Sequence, residues 1–291
     1  MFFDLVVESV VLGIFLGGFY MAMSAGLTVS FGLVGIVNVA HPTLILIASY
    51  IIFVINGAFG IDPVVSGLLL AVPFFGVGVL LYLGYDRVFS ARSEGDAELI
   101  GLVFFFGLLV VLETVLLMVF GVTEVGISTP YSTEGLVLGS VIVPDKFVIA
   151  LAVGLAMILG LYAFFTRTFT GRAVRAVADD QVAATLMGVR PRRVRAIANG
   201  FAVATAAVAG GLLIAIEPIS PGMDVQFVGL AFAIVIFGGR KSILGTLIAS
   251  IILGVATNTT AALYSPGLSQ GVAYAVLLAM LILRPSGLLR R

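Results

Sequence analysis

The 291-residue chain has no cysteine, no tryptophan and one histidine, and only 10% of its residues are charged. Without cysteine there is no disulfide, no thiolate nucleophile and no thiolate metal site. With a single histidine, a zinc or iron centre also lacks its usual ligands, and neither a metal nor a cofactor is expected. So few charges cannot cover a soluble protein of this length, where about 25% is usual. Lys plus Arg number 15 and Asp plus Glu 15, so there is no basic excess for nucleic acid. The chain is apolar instead, 61% hydrophobic, which also excludes disorder.

A helix needs about 20 apolar residues to cross the hydrocarbon. Charge-free stretches of that kind lie at 10–29, 33–55, 64–85, 147–166, 196–216 and 242–262. The stretch 99–120 is similar but contains Glu113, and two shorter ones lie at 225–238 and 270–283. Asp4 and Glu8, with no basic residue, precede the first, which argues against a cleavable signal peptide. The expected fold is all-α: a polytopic transmembrane helical bundle of about 8–9 membrane segments with interrupted helices. Residues 1–291 read as one membrane domain.

Basic residues favour the cytoplasmic side. The strongest anchor is 167–195, with Arg167, Arg172, Arg175, Arg190, Arg192, Arg193 and Arg195 against Asp179 and Asp180. Counting nine crossings outward from it puts Arg87, Arg92, Arg240, Lys241, Arg284, Arg290 and Arg291 inside and leaves Lys146 outside. The N-terminus is then outside and the C-terminus inside. The acids Asp4, Glu8, Asp62, Glu124, Glu134, Asp145, Glu217 and Asp224 fall outside. A half-helix or re-entrant 225–238 would reverse the last helix and violate the charge rule.

Two interruptions stand out. The second stretch contains Asn38, His41, Pro42 and Thr43. Pro42 has no N–H to donate and clashes with the carbonyl four residues earlier, that of Asn38. This reads either as a proline kink glued by polar neighbours or as a break lining a pathway, since irregular backbone at membrane depth needs protein or a cavity around it. The other interruption is Gly238-Gly239-Arg240-Lys241-Ser242, which lacks the spacing of a phosphate-binding loop. It reads as a tight turn between closely packed helices or as an ordinary loop. LILIAS at Leu44–Ser49 and GTLIAS at Gly245–Ser250 follow the two breaks, a faint echo of transporter repeats. Glu113 reads as protonated or bonded to a neighbouring helix, and Gly13, Gly17 and Gly67 as close-packing sites.

The loop 167–195 reads RTFTGRAVRAVADDQVAATLMGVRPRRVR. Asp179 or Asp180 can cap a short helix that begins at Gln181 and stops at Gly188. Val182 and Leu186 share one face beside Ala183 and Met187. The product is a small apolar knob flanked by arginines, suited to a protein cleft. A lipid-surface anchor and a plain solvated loop are the other readings.

Gly26–Tyr50, GLTVSFGLVGIVNVAHPTLILIASY, resembles the N-terminal signature of branched-chain amino-acid ABC transporter permeases of the LivH type. Gly171–Val189 is similar to that family's cytoplasmic motif, and Phe237-Gly238-Gly239 and Arg284-Pro285-Ser286-Gly287-Leu288 match its C-terminal half. Pro42 departs from the pattern, which has glycine after the histidine. The resemblance implies a type II ABC importer-like permease in the plasma (inner) membrane, itself not an enzyme. It implies ATP-binding cassette subunits, a second permease chain of the LivM type, an extracytoplasmic binding protein and surrounding membrane lipid as partners. It makes Asn38, His41, Pro42, Thr43, Gly238 and Gly239 candidates for the substrate pathway. Gly171, Arg172, Arg175, Asp180, Ala183, Leu186, Met187 and Gly188 become candidates for the ATPase-coupling loop. Related permeases carry urea and other small solutes, an alternative substrate class. A rival of another class is a stand-alone channel or proton-coupled carrier using Glu113 and His41.

Overall fold

A computed structural model of the chain describes residues 2–89, 97–132, 134–139, 141–284 and 287–289. Arg92, Pro285, Ser286, Arg290 and Arg291 lie outside the described residues. The chain runs α1 (Phe2–Leu27), α2 (His41–Phe59), α3 (Pro63–Phe89) and α4 (Ala97–Phe120). A hairpin of β1 (Gly135–Leu138) and β2 (Val141–Pro144) follows, then α5 (Asp145–Arg167), α6 (Phe169–Asp179) and α7 (Gln181–Leu186). The last four elements are α8 (Pro191–Ile216), α9 (Asp224–Gly238), α10 (Ile243–Leu263) and α11 (Pro266–Leu283). Among the described residues, 8 helices are long and apolar enough to cross a membrane. This is the polytopic helical bundle the sequence predicts, with one small hairpin added.

The helix ends sort into two faces. On one, Arg192 pairs with Asp86 at 2.9 Å, joining the start of α8 to the end of α3. Lys241 Nζ donates to the Ala178 carbonyl at 2.8 Å and meets Asp179 at 3.2 Å. The Leu288 N–H donates to the Phe237 carbonyl at 2.9 Å. On the other face, Val125 and Ile219 form an antiparallel bridge, and Lys146 Nζ donates to the Ile216 carbonyl at 2.7 Å. The Tyr131 hydroxyl donates to Asp62 at 2.8 Å, and Asp62 also accepts the N–H groups of Val64 and Val65 at the start of α3. Burial and the adjacent Asp62 hold the Tyr131 hydroxyl above its ordinary range.

This sorting settles the path of the short apolar segment. α9 starts after Ile219 on the second face and ends at Gly238 beside Lys241 on the first. At 15 residues it spans about 22 Å, so residues before Asp224 complete the crossing. It is not re-entrant, and α1 begins on the face opposite to Leu288.

α8 is the hub, buried along almost its whole length. Its small residues allow this. Gly210 faces Ala48 and the Ile45 carbonyl of α2, and Gly211 faces Pro63 and Gly67 of α3. α1 is the second axis. Its Gly13 and Gly17 lie on the backbone of α10 at Gly254, Val255 and Ile251, and its Gly18 lies on Gly154 and Leu151 of α5. The packing role read for Gly13, Gly17 and Gly67 thus has named partners. A Cβ added at Gly254 would meet the Gly13 carbonyl oxygen at 2.5 Å, whereas one at the exposed Gly107 of α4 would meet nothing within 4 Å. Gly254→Val is therefore expected to destabilise the protein by about 1–3 kcal/mol and Gly107→Val to leave it unchanged. Thermal unfolding of the two variants in detergent checks the pair.

Candidate functional site

The second apolar stretch is not one helix. α1 continues through a π-helical segment, Thr28–Val34, that closes on Gly35 at φ +80°. Only glycine takes that left-handed conformation freely. Residues 35–40 are non-helical, and α2 begins at His41. Pro42 therefore starts a helix rather than kinking one. It lies in the first turn of α2, where its missing N–H would have had no intrahelical partner. The Asn38 carbonyl is not displaced but accepts the His41 N–H at 3.3 Å.

The break is fastened to α8. The Ser30 hydroxyl contacts the Ile36 carbonyl and Asn199 Oδ1, both at 3.4 Å, while Asn199 Nδ2 donates to the Gly78 carbonyl of α3 at 2.8 Å. Asn199 is fully buried and ties three segments together. The Thr28 and Thr246 hydroxyls bond at 2.7 Å, linking the π-helical segment to α10.

Asn38, His41 and Thr43 are all fully buried. Among the described residues, both polar atoms of the Asn38 amide and both His41 ring nitrogens lack a hydrogen-bond partner. The Met23 backbone lies beside the His41 ring short of good hydrogen-bond geometry, and Gly26 and Thr205 pack against it. Each such orphan costs about 1–3 kcal/mol.

Thr43 points to a residue the sequence reading placed elsewhere. Its hydroxyl donates to Asp224 Oδ2. Asp224, counted among the outer acids, is fully buried rather than solvent-exposed, and its other carboxylate oxygen has no partner among the described residues. Glu113 of α4 approaches Gly222 and Asp224, so its neighbour is the α9 entry, not His41. Only an acid at the very edge of an apolar run hinted at this, and hydropathy cannot assign it a depth.

Gly238 and Gly239 form a different locus. Gly238 packs on the backbone of Gly245 and Thr246, and Gly239 turns at φ +101°. An added Cβ at Gly287 would meet Gly239 Cα at 2.6 Å. Gly239 and Gly287, 48 residues apart, thus make one joint, knitted by the Leu288–Phe237 hydrogen bond.

In the loop, the Asp180 carboxylate accepts the Ala183 N–H at 2.9 Å and caps α7. Gly188 stops the chain at φ +85°. Val182, Leu186 and Met187 are 67%, 83% and 85% exposed, and Ala183 is exposed beside them. The sequence reading missed α6 before it. Thr168 caps α6 by accepting the Gly171 N–H at 3.0 Å, and Val174 and Val177 bury its inner face. Gly171 packs on Phe164 and Phe165, so it seats the loop. Arg172 is exposed, whereas Arg175 is half-buried and shares a pocket of about 240 Å³ with Lys241 and Ser242.

A bundle of membrane-long helices, two of them joined by a non-helical segment beside buried polar side chains that have no partner among the described residues, is the architecture of a membrane transport protein. Residues 9–283 match the family described as branched-chain amino acid transport system / permease component, and the chain belongs to that family. It is 32% identical to the high-affinity branched-chain amino acid transport system permease protein LivH of Salmonella typhimurium, over 96% of this chain and 94% of that one. It is 30% identical to LivH of Escherichia coli, over the same shares. It is 28% identical to BraD of Pseudomonas aeruginosa, over 98% and 95%. No solved structure matches it.

The Thr43–Asp224 bond holds a buried carboxylate. Thr43→Val is expected to cost about 1.5–3 kcal/mol, and Thr43→Ser to cost much less. Denaturant unfolding of the purified protein in detergent measures both.

Proposed function

We propose that this chain is the substrate-translocating subunit of an ATP-driven importer for branched-chain or other hydrophobic amino acids. A binding protein outside delivers the substrate, a second permease chain of related sequence completes the pathway, and ATP-binding cassette subunits drive it. The face bearing α6, α7 and Lys241 is cytoplasmic by the charge rule, which puts the N-terminus outside. The observation that carries the reading is α7: three exposed apolar side chains on a helix capped at one end and stopped at the other. An ATP-binding subunit that closes against this knob has different contacts in each state, as a switch requires.

Asn38, His41 and Thr43 form the pathway segment in this reading, sealed in the present conformation. Their unpaired atoms gain partners when water or substrate enters, which favours opening. The carrier alternative would couple Glu113 to His41, but those residues face different neighbours.

The test is uptake by the reconstituted complex. Leu186→Glu is expected to abolish uptake and the stimulation of ATP hydrolysis by loaded binding protein. Because Leu186 is so exposed, stability should stay within about 0.5 kcal/mol of wild type. Normal uptake would overturn the docking role. Asn38→Ala with His41→Ala is expected to lower uptake or shift its substrate range with ATP-subunit binding intact. An unchanged rate and range would remove these residues from the pathway.

A further inference from the structure

The face carrying Lys146 and Glu217 has a cavity that the pathway reading does not use. An open vestibule of about 900 Å³ is lined by Glu124, Glu217, Gln226, Gln270 and Tyr274. A deeper chamber of about 310 Å³ shares Glu217, Gln226, Gln270 and Tyr274 with it. The two therefore join through one polar ring contributed by the end of α8, by α9 and by α11. Behind the ring the lining turns apolar, with Phe227, Leu230 and Ala273. A chamber of this size is at the small end of ligand sites, about 300–1,000 Å³, and suits one small solute. A polar ring with a charged member above an apolar floor matches a molecule polar at one end and aliphatic at the other.

Glu217 gives the ring its sign. It caps α8, whose C-terminal carbonyls carry partial negative charge. The Ile216 carbonyl is already taken by Lys146, while the Glu217 carboxylate accepts no hydrogen bond from the described residues. Burial holds its carboxyl above the ordinary range against the pull of Lys146. Among the described residues no three acidic or histidine side chains gather as a metal site would need. Amides and a phenol beside a lone carboxylate suit an organic ammonium. Gln270 Nε2, 3.4 Å from Gln226 Oε1, and the Tyr274 hydroxyl supply donors for a carboxylate next to that ammonium. Gly229 has no side chain to keep the Tyr274 hydroxyl away from α9.

We propose that this chamber is a receiving site for a free amino acid, with Glu217 binding the α-ammonium group, Gln270 and Tyr274 the α-carboxylate, and Phe227, Leu230 and Ala273 the aliphatic side chain. The inference rests on the amino-acid importer reading and adds the site where substrate first meets the membrane subunit.

The test uses the full complex with its binding protein in proteoliposomes, measuring leucine uptake and ATP hydrolysis. Two leucine fragments serve as competitors: 3-methylbutylamine, which keeps the ammonium, and 4-methylpentanoate, which lacks it. Wild-type uptake should be inhibited by the amine and much less by the acid. Glu217→Gln should raise half-saturation by leucine about tenfold or more, the loss of one charge-assisted hydrogen bond, and abolish amine inhibition. ATP hydrolysis stimulated by loaded binding protein should persist, and Glu217→Asp should restore part of the uptake. Wild-type uptake insensitive to the amine overturns the site whether or not the variant assembles. Unchanged kinetics in Glu217→Gln overturn it equally. Wild-type protein that imports no amino acid overturns the importer reading and this site with it.

Discussion

Lipid tails are as apolar as leucine, so helix association in a bilayer depends on how closely two backbones can approach. That constraint organises this protein. α8 is surrounded because Gly200, Gly210, Gly211 and its run of alanines leave room for α2 and α3 on separate sides. α1 reaches α10 through Gly13 and Gly17 and reaches α5 through Gly18. Larger side chains at these crossings would separate the helices and strand the buried polar groups between them. Ser49, which donates to the Gly210 carbonyl at 2.9 Å, and Asn199 reach across only because of this proximity.

Tight packing also makes the break tolerable. Non-helical chain at membrane depth would expose backbone groups to hydrocarbon unless protein covers it. Here Gly35 turns the chain, Ile36 bonds back to Ser30, and α8 covers the segment. The Gly35 and Ile36 N–H groups both bond to the Ser30 carbonyl. α6 seats α7 on the bundle, because its valines are buried and Gly171 sits against Phe164 and Phe165 of α5.

The membrane helices were legible because apolar composition over about 20 residues leaves few other structures. The cap and stop of α7 were legible because Asp180 and Gly188 act locally. Pro42 was misread because proline costs the same backbone group in a helix interior as it leaves harmless in a first turn. Only the preceding chain distinguishes the two, and Gly35 lies six residues before the histidine. Asp224 was misplaced because the depth of a short helix depends on what it packs against. Asn199 passed unnoticed within an apolar run, although an amide there already marks a polar contact.

By itself the sequence determined the medium, the long membrane helices, the neighbourhood of both interruptions and the exposed capped helix. Each depends on composition or on residues within one turn of each other. Tertiary structure alone decided that α9 crosses, that Asp224 is buried against Thr43, that Gly239 and Gly287 share a joint, and that Glu217 sits in the polar ring of a chamber. Those are meetings between residues far apart in the chain, set by helix packing that no local pattern encodes.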